Sequence, residues 1–266
     1  MRHASPNPAQ RIRIVARIYF YHNEQIHRRT ESAKCKKEVP ILHFLPKSTE
    51  FGKRIPKQTF YEKLSISPAI KKAFSEQIKT ILWQNKLSSS TLKIDAGKFV
   101  TEIQVFEVQL SGQRLDEAVL ELIDAKIPYH ILFILSFNGK VQAWTGYKEA
   151  AEGDNKAFRV NKYYHTEWMP ESGLNLEIEG LDMDAVWENL IIQIGGIKVG
   201  EGKSLGEQIR IDEQKAKLEK EIEKLEKQAR NEKQPRKKFE LVQKAKALKL
   251  GIRGLEVGSV KLGIRE

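Results

Sequence analysis

His130-Ile131-Leu132-Phe133-Ile134-Leu135-Ser136-Phe137, followed by Asn138-Gly139 and then Lys140-Val141-Gln142-Ala143-Trp144, is the stretch that decides the fold. The unbroken apolar run reads as a strand covered on both faces, because a strand with one wet face would alternate apolar with polar residues. Asn138-Gly139 suits a two-residue turn of the primed type, in which both central residues take positive φ. Val141 to Trp144 then returns antiparallel. A buried central hairpin needs further strands beside it and helices over it, so its flanks are read for those elements.

On the C-terminal side, a turn-rich stretch from Glu149 to Lys156 leads into an aromatic strand, Phe158 to Trp168, and Leu174 to Ile178 can add a short strand. Asp182 and Asp184 stand where they cap a helix with the apolar face Met183, Trp187, Leu190, Ile191 and Ile194, and Gly195-Gly196 end it. On the N-terminal side, Leu115, Ala118, Val119, Leu122 and Ile123 mark a helix that closes before Pro128. Ser67-Pro68 opens another helix, which the spacing of Ile70, Phe74, Ile78, Ile81 and Leu82 carries to about Lys86. Leu45 to Lys57 is an extended, turn-rich lead-in, with order beginning near Leu42.

Phe99 to Leu110 is a strand whose alternation changes phase, with Ile103 and Val105 odd but Phe106, Val108 and Leu110 even. Either it is buried on both faces, or a β-bulge near Val105-Phe106 restores one apolar face and lines Glu102, Gln104, Glu107 and Gln109 along the other. Burying two carboxylates without partners is costly, which favours the bulge. The fold class is therefore α+β, a mixed and largely antiparallel sheet with packed helices, plus a C-terminal helical hairpin.

That hairpin follows a glycine-rich joint. Ile211, Leu218, Ile222, Leu225 and Ala229 form a narrow heptad seam with helpful Glu-to-Lys or Glu-to-Arg pairs four residues apart. Asn231 to Pro235 breaks the helix, and Leu241, Ala245 and Leu248 make a second, shorter seam. Three regions result: a basic, structureless extension over 1–40, an α+β core over 41–200, and a basic helical hairpin and tail over 201–266.

The net charge of +11 follows this division, with Lys/Arg against Asp/Glu counting 9 to 3 in residues 1–40, 19 to 20 in 41–200 and 18 to 12 in 201–266. Within the hairpin, residues 203–232 balance 8 against 8, whereas residues 233–253 carry 8 cations against Glu240 alone. Lys233, Arg236, Lys237, Lys238, Lys244, Lys246, Lys249 and Arg253 are thus candidates for nucleic-acid contact. The same charge would also suit an acidic protein partner. One cysteine, Cys35, excludes an internal disulfide and suits a reducing cytoplasm. No apolar run approaches the roughly 20 residues of a membrane span.

Catalytic motifs are incomplete. Gly196 to Ser204 ends like a phosphate loop, but Ile197 stands where the earlier glycine belongs and the segment follows a helix, so a hinge is the better reading. Glu102, Glu107 and Gln109, with Glu76 from the preceding helix, resemble part of a metal-dependent nuclease site that would use Mg²⁺, although glutamine replaces the expected lysine. Tyr163, Tyr164, His165, Glu167 and Trp168 could line a groove that stacks bases, or simply pack. No Cys/His spacing for zinc occurs, and no cofactor is expected.

Several stretches together resemble a known family. They are Leu45-Pro46-Lys47-Ser48-Thr49, Ile55 to Tyr61, Trp83 with Lys86-Leu87-Ser88, Glu102 to Glu107, Ile127-Pro128-Tyr129 with Ile131 to Leu135, Tyr163 to Trp168, and Leu225 to Gln234. They resemble the bacterial family of domain of unknown function 4391. The resemblance implies a cytoplasmic prokaryotic protein encoded beside helicases and DNA methyltransferases in restriction-like defence loci, and it supplies no catalytic residues. The expectation is an accessory, non-enzymatic subunit whose core docks such a partner and whose basic arm contacts partner, DNA or RNA. The alternative is the metal-dependent nuclease.

Overall fold

The computed structural model describes residue 42 and residues 44–61, 67–125, 127–150 and 158–257, so the expected N-terminal extension lies outside the described residues. The chain divides into two compact units, one ending at Ile197 and the other beginning at Lys198.

The first unit is built on a seven-stranded sheet in the order β1 (Glu50–Ile55), β2 (Ile78–Ser88), β3 (Glu102–Leu110), β4 (His130–Phe137), β5 (Lys140–Ala150) and β6 (Phe158–His165), with the two-residue β7 (Met169–Pro170) also on β5. All pairings are antiparallel except β3 with β4. A helix must cross between those two, and α4 supplies it. In order, the helices of this unit are α1 (Gln58–Tyr61), α2 (Pro68–Gln77), α3 (Ser89–Leu92), α4 (Glu117–Asp124) and α5 (Met183–Gly195). Side chains satisfy their first N–H groups: Ser67 accepts from Ile70, Asp116 from Ala118 and Asp182 from Ala185. The β4–β5 turn is of the expected kind, with φ of 48° at Asn138 and 71° at Gly139.

Helices cover the sheet on both faces. Phe74 of α2 and Val119, Leu120 and Ile123 of α4 pack with Phe106, Val108, Ile131, Phe133 and Leu135 on one face. The buried stripe of α5 meets the other, where the Trp187 and His130 rings lie 4.8 Å apart. β3 and β4 occupy the middle and are buried almost throughout.

Three expectations are corrected. The helix begun at Ser67 stops at Gln77, and Ile78 to Ser88 is strand β2. Extra residues at Lys79 and Gln84 interrupt the pairing of β2 with β3, so Ile78, Ile81 and Trp83 share the core face at spacings of three and two. Such a bulged strand mimics helical periodicity. Second, β3 is regular against β4, pairing without interruption from Ile103↔His130 to Gln109↔Ser136. The bulge lies across from Val105-Phe106, at Gln84 of β2, and β3 is buried on both faces as in the other sequence reading. Third, no strand forms over 174–178; a single 3-10 turn, Glu171–Gly173, precedes that segment. The edge strand β1 emerges from what reads as a lead-in.

A buried ionic knot ties α4 to β5 and β6. Lys148 Nζ lies 2.8 Å from Asp124 Oδ1, with side chains 3% and 1% exposed, and donates to the Tyr129 carbonyl at 2.6 Å. The Tyr163 hydroxyl donates to Asp124 Oδ2 at 2.6 Å, and burial followed by the Asp124 charge pushes that phenol far above its ordinary range. Lys148→Met should cost about 3–5 kcal/mol by stranding Asp124, whereas Asp124→Leu with Lys148→Met should cost less than the single change. Urea unfolding of both variants measures the difference.

His130 supplies a pH dependence. Burial first and the Lys148 charge second, against the opposing pull of Asp184, lower its imidazole to about 3 from 6.5. Between those values the unfolded chain takes up a proton that the folded chain refuses, so this contribution is full above pH 6.5 and is lost on acidification. From pH 7 to 4, unfolding free energy should fall by a few kcal/mol more in the wild type than in His130→Phe. Denaturant curves at both pH values provide the check.

The second unit holds α6 (Leu205–Asn231) and α7 (Pro235–Val257), joined by a short connection. Ser204 and Glu207 cap α6 reciprocally, the Ser204 N–H and hydroxyl holding the Glu207 carboxyl below its ordinary range. Ser204 is therefore occupied as a helix cap. Ile222, Ala229 and Ala245 are buried, and Lys249 reaches Glu226 at 2.8 Å, as in an antiparallel hairpin.

Candidate functional site

The polar residues of β3 separate into two places. Residues an odd number apart on a regular strand face opposite ways, so Glu102 and Gln104 lie on the α2/α4 face and Glu107 and Gln109 on the α5 face. Glu102 accepts from Gln104 and pairs with Lys86. Glu107, 2% exposed, accepts from Gln84 at 2.6 Å, Ser136 at 3.1 Å and Gln109 at 3.3 Å, while Gln109 accepts from Thr80 at 2.6 Å. The bulge at Gln84 and strand alternation thus provide donors for a buried carboxyl group.

Glu76 stands apart from both, exposed on α2 and 3.9 Å from Lys72. The expected trio of Glu76, Glu102 and Glu107 is therefore not one site, because β3 sends its carboxyl groups to opposite sides. Among the described residues no three His, Cys, Asp or Glu side chains are grouped to hold a metal. Glu107→Ala would strand three donors and should lower stability by about 2–3 kcal/mol, against under ~0.5 kcal/mol for Glu76→Ala. Chemical denaturation distinguishes them.

The stretch from Tyr163 to Trp168 does not form one groove. Tyr163 is buried against Asp124, and Tyr164 faces the opposite side of the sheet. His165 is exposed and stacks on Trp144, with centroids 4.4 Å apart, and its Nδ1 lies 3.2 Å from Gln142 Nε2. Glu167 lies beyond the end of β6 and Trp168 packs against the core. Alternation disperses these residues because neighbours on a strand point opposite ways.

The basic helix is more ordered than the sequence shows. Leu241, Ala245, Leu248, Ile252 and Leu255 are its shielded side, at heptad spacing. Arg236 and Lys249 meet acids, Glu240 at 3.5 Å and Glu226 at 2.8 Å, and the pairing with Lys249 lowers Glu226 below its usual carboxylate range. Lys237 and Lys244 line a cleft of about 600 Å³ with Glu232 and Glu240 near the connection. Lys238, Lys246, Lys249 and Arg253 recur every three to eight residues along one exposed flank, with Val242 among them. At 1.5 Å per residue that row runs roughly 22 Å. Lys233 lies in the connection before α7.

One family model, described as a domain of unknown function (DUF4391), matches residues 44–250. The chain belongs to the DUF4391 family. Comparison with curated proteins and with solved structures returns no match. In this DUF4391 chain the matched span takes in the whole sheet, α5, α6 and α7 as far as Leu250. No helix among its described residues is long and apolar enough to cross a membrane.

Residues 41–200 also hold a charge separation that their near-neutral total conceals. Residues 47–93 of the DUF4391 chain carry 10 Lys/Arg against 3 acids, and residues 94–200 carry 9 against 17. Counting by shorter windows would have exposed it in the sequence.

Proposed function

We propose that this DUF4391 protein is a non-enzymatic accessory subunit of a prokaryotic DNA-processing system of the restriction-like defence type. Its α+β unit docks a larger partner of the helicase or DNA methyltransferase kind, and α7 contacts the nucleic-acid backbone. The observation that carries the reading is the exposed row of Lys238, Lys246, Lys249 and Arg253, of which only Lys249 has an ion-pair partner among the described residues. Cations without local partners are available to displace condensed counterions from phosphates, whereas paired ones must first give up their acids. The dispersal of Glu76, Glu102 and Glu107 favours this over the nuclease alternative.

Fluorescence anisotropy with a short DNA duplex, repeated across salt concentrations, tests the proposal. About three phosphate contacts, one from each unpaired cation of the row, give a slope of log K against log salt near −2.7. Lys246→Gln with Arg253→Gln should shallow that slope by about 1.8 without altering thermal unfolding. A slope near zero, or one unchanged in the double variant, would refute the role of α7.

A further inference from the structure

The geometry points to a phosphate-binding pocket at the β1–β2 edge of the sheet, built from Arg54, Lys57 and Lys79. This hollow of about 380 Å³ is lined by those three cations with Gln58, Thr80 and the apolar Ile55 and Pro56, and no acidic residue lines it. It lies within the segment 47–93, holding 10 cations against 3 acids, whereas residues 94–200 carry 9 against 17. Arg54, Lys57 and Lys79 have no ion-pair partner among the described residues.

Two features set the pocket apart from a scatter of surface lysines. Lys57 is anchored: its ammonium donates to the carbonyls of Ile78 at 2.7 Å and Ser75 at 3.3 Å, where α2 gives way to β2. An ammonium has three N–H groups, so one is left to face an anion from a fixed position. Lys79 is the extra residue of a β-bulge, a device that turns a side chain out of the ladder's alternation. Lysines on an edge strand ordinarily guard against unwanted strand pairing. Neither Lys57 nor the bulged Lys79 lies on the edge strand β1, so that role does not account for them.

Three cationic groups and the Gln58 amide around one hollow suit a tetrahedral anion with several acceptor oxygens better than a planar carboxylate. The guanidinium of Arg54 adds a fork able to take two of those oxygens. The phosphate could belong to a nucleic-acid backbone or to a free nucleotide, and both present the same oxyanion. This pocket does not depend on α7.

Amide NMR of the full chain, titrated separately with inorganic pyrophosphate, ATP without metal and a single-stranded oligonucleotide, tests the inference. Saturable shifts at residues 54, 55, 57, 58 and 78–80 are expected. Arg54→Gln with Lys79→Gln should weaken binding by about tenfold or more, since a hydrogen bond to a charged group is commonly worth that factor. Both positions are exposed, so thermal unfolding should remain as in the wild type. Lys246→Gln with Arg253→Gln should leave these shifts unchanged, which separates this pocket from α7. Stronger binding of the oligonucleotide than of ATP assigns the site to a nucleic-acid backbone, and the reverse order assigns it to a nucleotide. Absence of local shifts with all three probes, or equal binding by the Arg54/Lys79 variant, would overturn the inference.

Discussion

Everything in the first unit depends on burying the parallel pair β3–β4 on both faces. A strand so placed must find a partner for each polar side chain it carries, because a buried donor or acceptor left alone costs about 1–3 kcal/mol. β3 carries four, and its neighbours meet most of the demand: Lys86 and Gln84 from β2, Ser136 from β4, and Gln104 and Gln109 from β3 itself, with Gln104 Oε1 left buried and unpartnered. The two bulges of β2 make this register possible, one setting Gln84 toward Glu107 and the other releasing Lys79 to the edge. Satisfying the core and shaping the basic edge are thus consequences of the same strand.

The same constraint decides what the carboxyl groups can do. Metal-assisted hydrolysis requires oxygens converging on one point. An uninterrupted β3 divides Glu102 from Glu107, and the hydrogen bonds of Glu107 to neutral donors hold it as part of the packing. The charge with room to act lies elsewhere, in the row on α7 and in the pocket beside β1 and β2.

The sequence disclosed the elements whose local chemistry was complete. Asn138-Gly139 between apolar runs defined the hairpin, Asp182 and Gly196 bounded α5, and the heptads of the last seventy residues revealed α6 and α7. It misled where one residue was added to a strand. Lys79 turned the alternation of β2 into a spacing of three, which is indistinguishable by pattern from a helix; Ile78, Thr80, Ile81 and Trp83 were the β-branched and aromatic signal that could have decided otherwise. The direction of Glu107 was hidden because it depends on Gln84, twenty-three residues away, and no local pattern reports such a partner. On α7 the charge was legible, but its resolution into one exposed row required knowing which side of the helix is shielded and that Arg236 is paired to Glu240.

The central claim is that nucleic acid meets this protein through cations outside the sheet's buried polar row. Lysine acetylation of the full chain, read by mass spectrometry with and without a DNA duplex, addresses it most directly. DNA is expected to protect Lys238 and Lys246 while leaving Lys140 and Lys162 as reactive as before. Uniform reactivity along α7, or protection confined to Lys140 and Lys162, would contradict it.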